Sequence, residues 1–204
     1  MTRKYELKQR AERQQETRRR IVETTVALHE AIGGEATTIS AIADRAGVGR
    51  LTVYRHFPDE RALLSACTGH YLALNPPPDP AAWAGLGDPA TRFRTAVGEA
   101  YAFYRRTQGM LARAAQEAPT NPILAELMAP FAAYWEDVRD DLARGWDGAG
   151  APDPLRVAAI GHALAFSTWR SLVQDQGLED GQAADLMLAL GRGAPRPTGT
   201  GPPG

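Results

Sequence analysis

The chain has 204 residues, 44% of them hydrophobic and 23% charged, with one cysteine and a formal net charge of −1. That length suits one ordinary domain or a small one joined to a larger one, and the composition excludes wholesale disorder. Cys67 has no partner for a disulfide. No apolar run reaches the ~18–20 residues that span a bilayer. The charged N-terminus leads into no apolar segment of the secretory kind, so a cytoplasmic location and no membrane partner are expected.

The charge is unevenly placed. Residues 1–70 carry twelve Lys and Arg against nine Asp and Glu, and the first 22 alone carry eight against three. Residues 71–204 reverse the balance, eleven against fifteen. A basic front on an acidic body suggests a polyanion partner for the front. The plainer reading is a solvated helix laced by i,i+4 pairs such as Glu6–Arg10 and Glu16–Arg20.

In chain order, residues 3–20 are helix-compatible but lack an apolar face, which predicts an exposed segment that orders only on a partner. Ile21, Thr25, Leu28 and Ile32 then form one stripe of a helix that Gly33-Gly34 stops. Thr38 is suited to cap a short helix through Ile39, Ile42 and Ala43 to Ala46, ended by Gly47. A second short helix opens at Gly49, carries Val53 and Phe57 at i,i+4, and ends at Pro58. Asp59 caps a third through Leu63, Leu64, Cys67 and Tyr71. The proline run 75–80 breaks the pattern. Helices are expected at about 89–107 and 108–117, then from Pro122, with Asn121 as cap, through Leu142, with Pro130 as a kink or interruption. Asp153-Pro154 repeats the cap signature before a long helix over 155–176. Gly177 ends that helix, and a last one covers about 180–191. The tail 194–204 has too little apolar surface to order. Nothing reads as a strand. The fold class is all-α, divided as a basic extension (1–16), a three-helix unit (17–73), a helical body (81–193) and the tail.

The helices at 39–46 and 50–57 carry the chemistry. A helix-turn-helix needs a small residue where its helices touch, a turn residue tolerant of left-handed backbone, and apolar anchors. Ala43, Gly47, and Ile42, Val48, Val53 and Phe57 supply these. Burying the anchors turns Arg50, Leu51, Tyr54 and Arg55 outward, a set suited to phosphates, guanine edges and thymine methyls. The alternative is a short surface helix in a bundle. Elsewhere there is no nucleophile elbow, phosphate-binding glycine loop, HExxH or paired-cysteine motif, so no catalytic residue, metal ligand or cofactor is assigned. The acidic run Glu136, Asp137, Asp140 and Asp141 reads as a solvated helix face.

Residues 37–64 resemble the DNA-binding signature of the TetR family of bacterial transcription regulators: Ile42-Ala43…Ala46-Gly47-Val48, then Thr52-Val53-Tyr54-Arg55-His56-Phe57, then Pro58-Asp59-Glu60-Arg61-Ala62-Leu63. The resemblance implies an N-terminal helix-turn-helix domain and a C-terminal ligand-binding and dimerisation domain. It implies that Thr38 touches a phosphate, that Arg50, Leu51 and Thr52 read base edges, and that Tyr54 and His56 hold backbone phosphates. The cap position usually held by Ser is Gly49, the lysine usual at the next helix start is replaced by Glu60 with Arg61 as substitute, and Leu51 stands where a small residue is common. Beside such a reader, Arg18, Arg19, Arg20 and the upstream basic residues become candidate DNA contacts.

For the body, the small residues Ala158, Ala159, Gly161, Ala163 and Ala165 on the 155–176 helix fit a four-helix dimer contact with the last helix, or ordinary packing within the chain. Tyr101, Tyr104, Phe131, Trp135, His162, Phe166 and Trp169 outline an apolar cavity for a small effector, although an aromatic stripe also serves as plain core. The expectation is a homodimeric repressor on a palindromic operator in double-stranded DNA, released by a small apolar or aromatic effector. The rivals are an activator, a regulator without effector, or an all-α enzyme using the cavity.

Overall fold

The computed structural model describes residues 3–147 and 151–192. The tail expected at 194–204 and the start of the 148–154 loop lie outside them. In order, the helices are α1 Arg3–Ile32, α2 Ile39–Ala46, α3 Arg50–His56, α4 Glu60–Leu74, α5 Ala81–Ala84, α6 Pro89–Glu117, α7 Pro122–Asp147, α8 Pro154–Ala163, α9 Phe166–Trp169 and α10 Asp180–Arg192, with a π-helical turn at Arg170–Asp175. Among the described residues there is no strand. The chain forms two compact units, one of α1–α4 with Thr107–Pro130, the other of Pro77–Arg106 with the chain from Phe131 onward. Residues 107–130 thus group with the N-terminal helices.

In the first unit the sequence signals act as written. The Thr38 hydroxyl accepts from Ala41 N–H at 3.1 Å, and the Asp59 carboxylate accepts from Ala62 N–H at 2.8 Å. Gly47 takes φ +64° and ends α2, a backbone that a residue with a Cβ adopts only with strain. The core gathers Ile21, Val22 and Leu28 of α1, Ile42, Ala43 and Ala46 of α2, Val53 and Phe57 of the α3 region, and Leu63 and Cys67 of α4. Burial pushes the Cys67 thiol up to about 12, so it stays protonated and is a packing group rather than a nucleophile.

Residues 3–20 are exposed and helix-compatible as expected, but they are already helical without a partner and continuous with the rest of α1. Their Ala, Glu, Gln, Lys and Arg content favours helix without an apolar face. Side-chain pairs add support, as Arg19 bridges Glu16 at 2.8 Å and Glu23 at 3.1 Å. The anticipated Glu6–Arg10 and Glu16–Arg20 pairs are absent among the described residues, because Glu16 turns to Arg19.

In the second unit α6 buries Phe93, Ala96, Val97, Ala100, Tyr101, Phe103 and Tyr104. The expected break near 107–108 does not occur, since α6 runs unbroken to Glu117. Pro130 likewise stays within an uninterrupted α7, losing one backbone hydrogen bond in a 26-residue helix that is otherwise intact. The acidic run is less solvated than expected: Asp141 pairs with the mostly buried Arg92, and Asp140 with Arg139.

The helix expected over 155–176 is broken at Leu164-Ala165. Two tyrosines explain how the break is stabilised. Tyr101 donates its hydroxyl to the Ala163 carbonyl at 3.0 Å, and Tyr104 donates to the Leu164 carbonyl at 2.6 Å. These two carbonyls have left the helical ladder, and buried carbonyls need a donor. The chain restarts as α9, where the Trp169 indole N–H donates to Asp180 at 3.0 Å. Asp180 also pairs with Arg105, and Asp185 with Arg94, which ties α10 to α6.

Two outcomes follow from this packing. Replacing Tyr104 by Phe strands the buried Leu164 carbonyl and should cost about 1–3 kcal/mol in urea unfolding; an unchanged midpoint would show that the hydroxyl is not needed at the break. Burial lowers the pKa values of His29 and His56 below the ordinary 6.5, with Arg55 and Arg18 adding to the effect at His56. The unfolded chain then binds more protons than the folded one below pH 6.5, so stability falls as pH drops through that range and is insensitive to these groups above it. A His29→Gln, His56→Gln variant should lose that slope, measured by thermal unfolding between pH 7.5 and the onset of carboxylate titration.

Candidate functional site

α3 has only seven residues, too few to be helical alone, so its orientation is dictated by what it packs on. Val53 and Phe57 are 0% and 2% exposed. The Arg18 guanidinium lies 4.2 Å from the Phe57 ring centroid and donates to the His56 carbonyl at 2.9 Å. One α1 side chain therefore both covers Phe57 and holds the end of α3.

With that inner face fixed, Arg50, Leu51, Tyr54 and Arg55 are exposed, Leu51 at 84%. The solvent face of α3 thus carries an aliphatic side chain beside two guanidinium groups and a phenol. Thr52 and His56 are half-buried on one flank of α3. Gly49 caps α3 through its extended backbone without a side-chain bond, and open space surrounds the place of a Cβ. The Ser usual at that position would therefore fit.

Other residues singled out by sequence have different surroundings. Thr38 is exposed, with its oxygen engaged in capping α2. Arg61 is held bidentate by Glu126 at 2.8 and 2.7 Å, which keeps that carboxylate below its usual pKa. Arg18 and Arg19 are committed within the protein, to Phe57 and His56 and to two glutamates.

A set of polar contacts that the sequence did not signal joins Thr107–Pro130 to these helices. Arg113 donates to the Glu30 and Ala31 carbonyls at 3.0 and 2.7 Å, and the Gly34 N–H donates to Glu117 at 2.8 Å. Asn121 donates to Glu60 at 2.9 Å. The partners stand about 60 to 80 residues apart in the chain, beyond the reach of local pattern reading.

In the second unit a cavity of about 310 Å³ is lined by Tyr104, Phe131, Trp135, Leu164 and Phe166, with Glu136 and Arg139 also on its wall. Four of the seven aromatic candidates thus line it. Tyr101 and Trp169 are core groups with hydrogen-bond partners, and burial raises the Tyr101 and Tyr104 pKa values, so both stay neutral donors. His162 is exposed and lies 3.3 Å from the Thr168 hydroxyl, off the cavity wall. The Trp135 indole N–H is buried without an acceptor. Among the described residues no group of three or more His, Cys, Asp or Glu is arranged to hold a metal ion, and no helix is long and apolar enough to cross a membrane.

Residues 21–67 match the model of bacterial regulatory proteins of the tetR family. The chain is 36% identical over 119 residues to the HTH-type transcriptional repressor KstR of Mycolicibacterium smegmatis, a match covering 58% of this chain and 51% of that protein. It thus spans about half the length of the relative it matches. Its fold is similar to the fatty acid degradation regulator FadR from Bacillus halodurans, with TM-score 0.61, 16% identity, and coverage of 88% of this chain and 96% of that one. It is similar also to AibR, solved with isovaleryl coenzyme A and operator DNA, with TM-score 0.58, 19% identity, and coverage of 85% and 97%. At these identities the likeness establishes the all-α, two-domain fold. The helix-turn-helix of α2 and α3 lies within the matched residues, and through it the chain is similar to the tetR family of bacterial regulatory proteins.

Proposed function

We propose that this protein is a homodimeric transcriptional repressor that reads a palindromic operator with α3 and is released from it by a small molecule held in the aromatic cavity. The observation that carries the reading is the solvent face of α3, where Arg50, Leu51, Tyr54 and Arg55 stand out from a helix whose inner side is locked by Val53 and Phe57. A major groove accepts one α-helix. Arg50, Leu51 and Thr52 then read base edges, while Tyr54, His56 and Thr38 fix the register on phosphates. His56 contributes as a neutral donor, since its pKa is lowered. Arg61 joins them only by exchanging Glu126 for a phosphate.

Two-fold reading requires two copies, with half-sites ~34–36 Å apart. The pair α8 and α10 supports such a contact: they pack on each other and still leave Leu155, Leu186 and Leu190 at 50%, 39% and 61% exposure. Joined to the same pair of a second copy, they bury these leucines in a four-helix bundle. The protein acts where the DNA is, in the cytoplasm.

The cavity suits a compact ligand with an apolar body that packs on Tyr104, Phe131, Trp135 and Phe166; the isovaleryl group of the coenzyme A ester in the AibR complex is an apolar body of that kind. Two helices carry both functions. α6 bears Tyr104 at the cavity and Arg113 and Glu117 against the DNA-reading helices; α7 bears Phe131 and Trp135 at the cavity and Glu126 against Arg61. A ligand releases DNA only to the extent that it binds the DNA-incompetent arrangement more tightly.

Arg50→Ala and Tyr54→Ala should each weaken binding to an operator duplex, selected from a random library, by about tenfold to a hundredfold, with dimer mass unchanged in sedimentation. Undiminished affinity in both variants would remove α3 as the reader.

A further inference from the structure

We infer that the cleft between the first turns of α1 and the flank of α3 seats one strand of the DNA backbone, so that the N-terminal extension is a phosphate clamp beside the reading helix. This rests on the DNA-reading function proposed above and adds a second contact surface to it.

The cleft, of about 660 Å³, is formed by Arg10, Arg13 and Thr17 of α1 facing Thr52, Arg55 and His56 of α3. Three guanidinium groups face it against one carboxylate, that of Glu6. Arg10, Arg13 and Thr17 follow the i, i+3, i+7 spacing that puts them on one helix face. Three other cations of α1 separate from this set by their partners. Lys8 pairs with Glu12, Arg19 with Glu16 and Glu23, and Arg18 with the His56 carbonyl and the Phe57 ring. Among the described residues Arg10 and Arg13 have no acidic partner within 4.0 Å and are exposed. Of the cations of α1 without an ion pair among the described residues, Arg10 and Arg13 face the cleft, while Arg20 lies off it.

The lining decides the partner. Planar guanidinium forks and hydroxyls match phosphate oxygens, and the cleft lacks the large aromatic or aliphatic anchors that a peptide would need. Arg55 belongs both to the cleft and to the solvent face of α3, so a duplex that receives α3 in its major groove brings a sugar-phosphate strand alongside. The walls are fixed in advance: α1 is helical from Arg3 onward, and Arg18 ties it to the end of α3. No ordering cost then falls on binding, as it would for a flexible arm.

The test uses the full chain and a random-sequence duplex of about 30 base pairs, three turns of B-form DNA, with affinity followed against NaCl concentration. Loss of two phosphate contacts in R10A/R13A should make the slope of log affinity on log salt shallower by about two, with affinity down on the order of tenfold at ~0.1 M salt. The loss should be equal on a selected operator, because phosphate contacts carry no sequence information. R144A/R170A removes the same charge from the other unit and should keep the wild-type slope. The clamp is overturned if R10A/R13A retains the wild-type slope, or if R144A/R170A loses as much. If the wild-type protein binds neither duplex at low salt, the DNA-reading function itself fails, a result distinct from an unaltered slope.

Discussion

Everything that this protein presents to a partner on its N-terminal unit depends on how Val53 and Phe57 are buried. α3 is a two-turn helix with no stability of its own, and its inner face is held by the core of α1 and α2 and by Arg18 lying on the Phe57 ring. Deleting a buried aromatic side chain of this kind costs about 3–5 kcal/mol in a folded domain, a large share of ordinary stability. The exposed face of α3 is therefore held in place by the apolar packing behind it. Arg50, Leu51, Tyr54 and Arg55 need no mutual contacts, because the helix that carries them cannot roll.

The same economy recurs in the second unit. The chain breaks at Leu164-Ala165, two tyrosine hydroxyls take the freed carbonyls, and Phe166 is set against Tyr104 at a 5.5 Å centroid distance. Phe166, just after the break, thus shares the cavity wall with Tyr104, Phe131 and Trp135. The polar bonds of Arg113, Glu117 and Asn121 tie the far parts of α6 and α7 to the helices around α3.

The N-terminal unit was legible because its determinants are local. Thr38, Gly47 and Asp59 act within four residues of themselves, and the Val53/Phe57 spacing fixes which side of α3 is wet. The order of residues 3–20 in the absence of a partner escapes an apolar-face criterion, because propensity and charge pairs sustain this helix in water. The break at Leu164 was invisible because its cause, Tyr101 and Tyr104, lies about 60 residues upstream. His162 lay on the expected aromatic face, but the same break leaves it exposed and off the cavity wall. The free cations were equally hidden: a count gives eight basic residues in the first 22, but only the contacts separate Arg10 and Arg13 from Arg18 and Arg19.

The claim that α3 reads sequence is tested most directly by repeating operator selection from a random DNA library with an Arg50→Ala variant. The account predicts a consensus of two inverted half-sites in which preference is relaxed at one base pair of each half-site and kept elsewhere. An unaltered consensus, or one without two-fold symmetry, would contradict it.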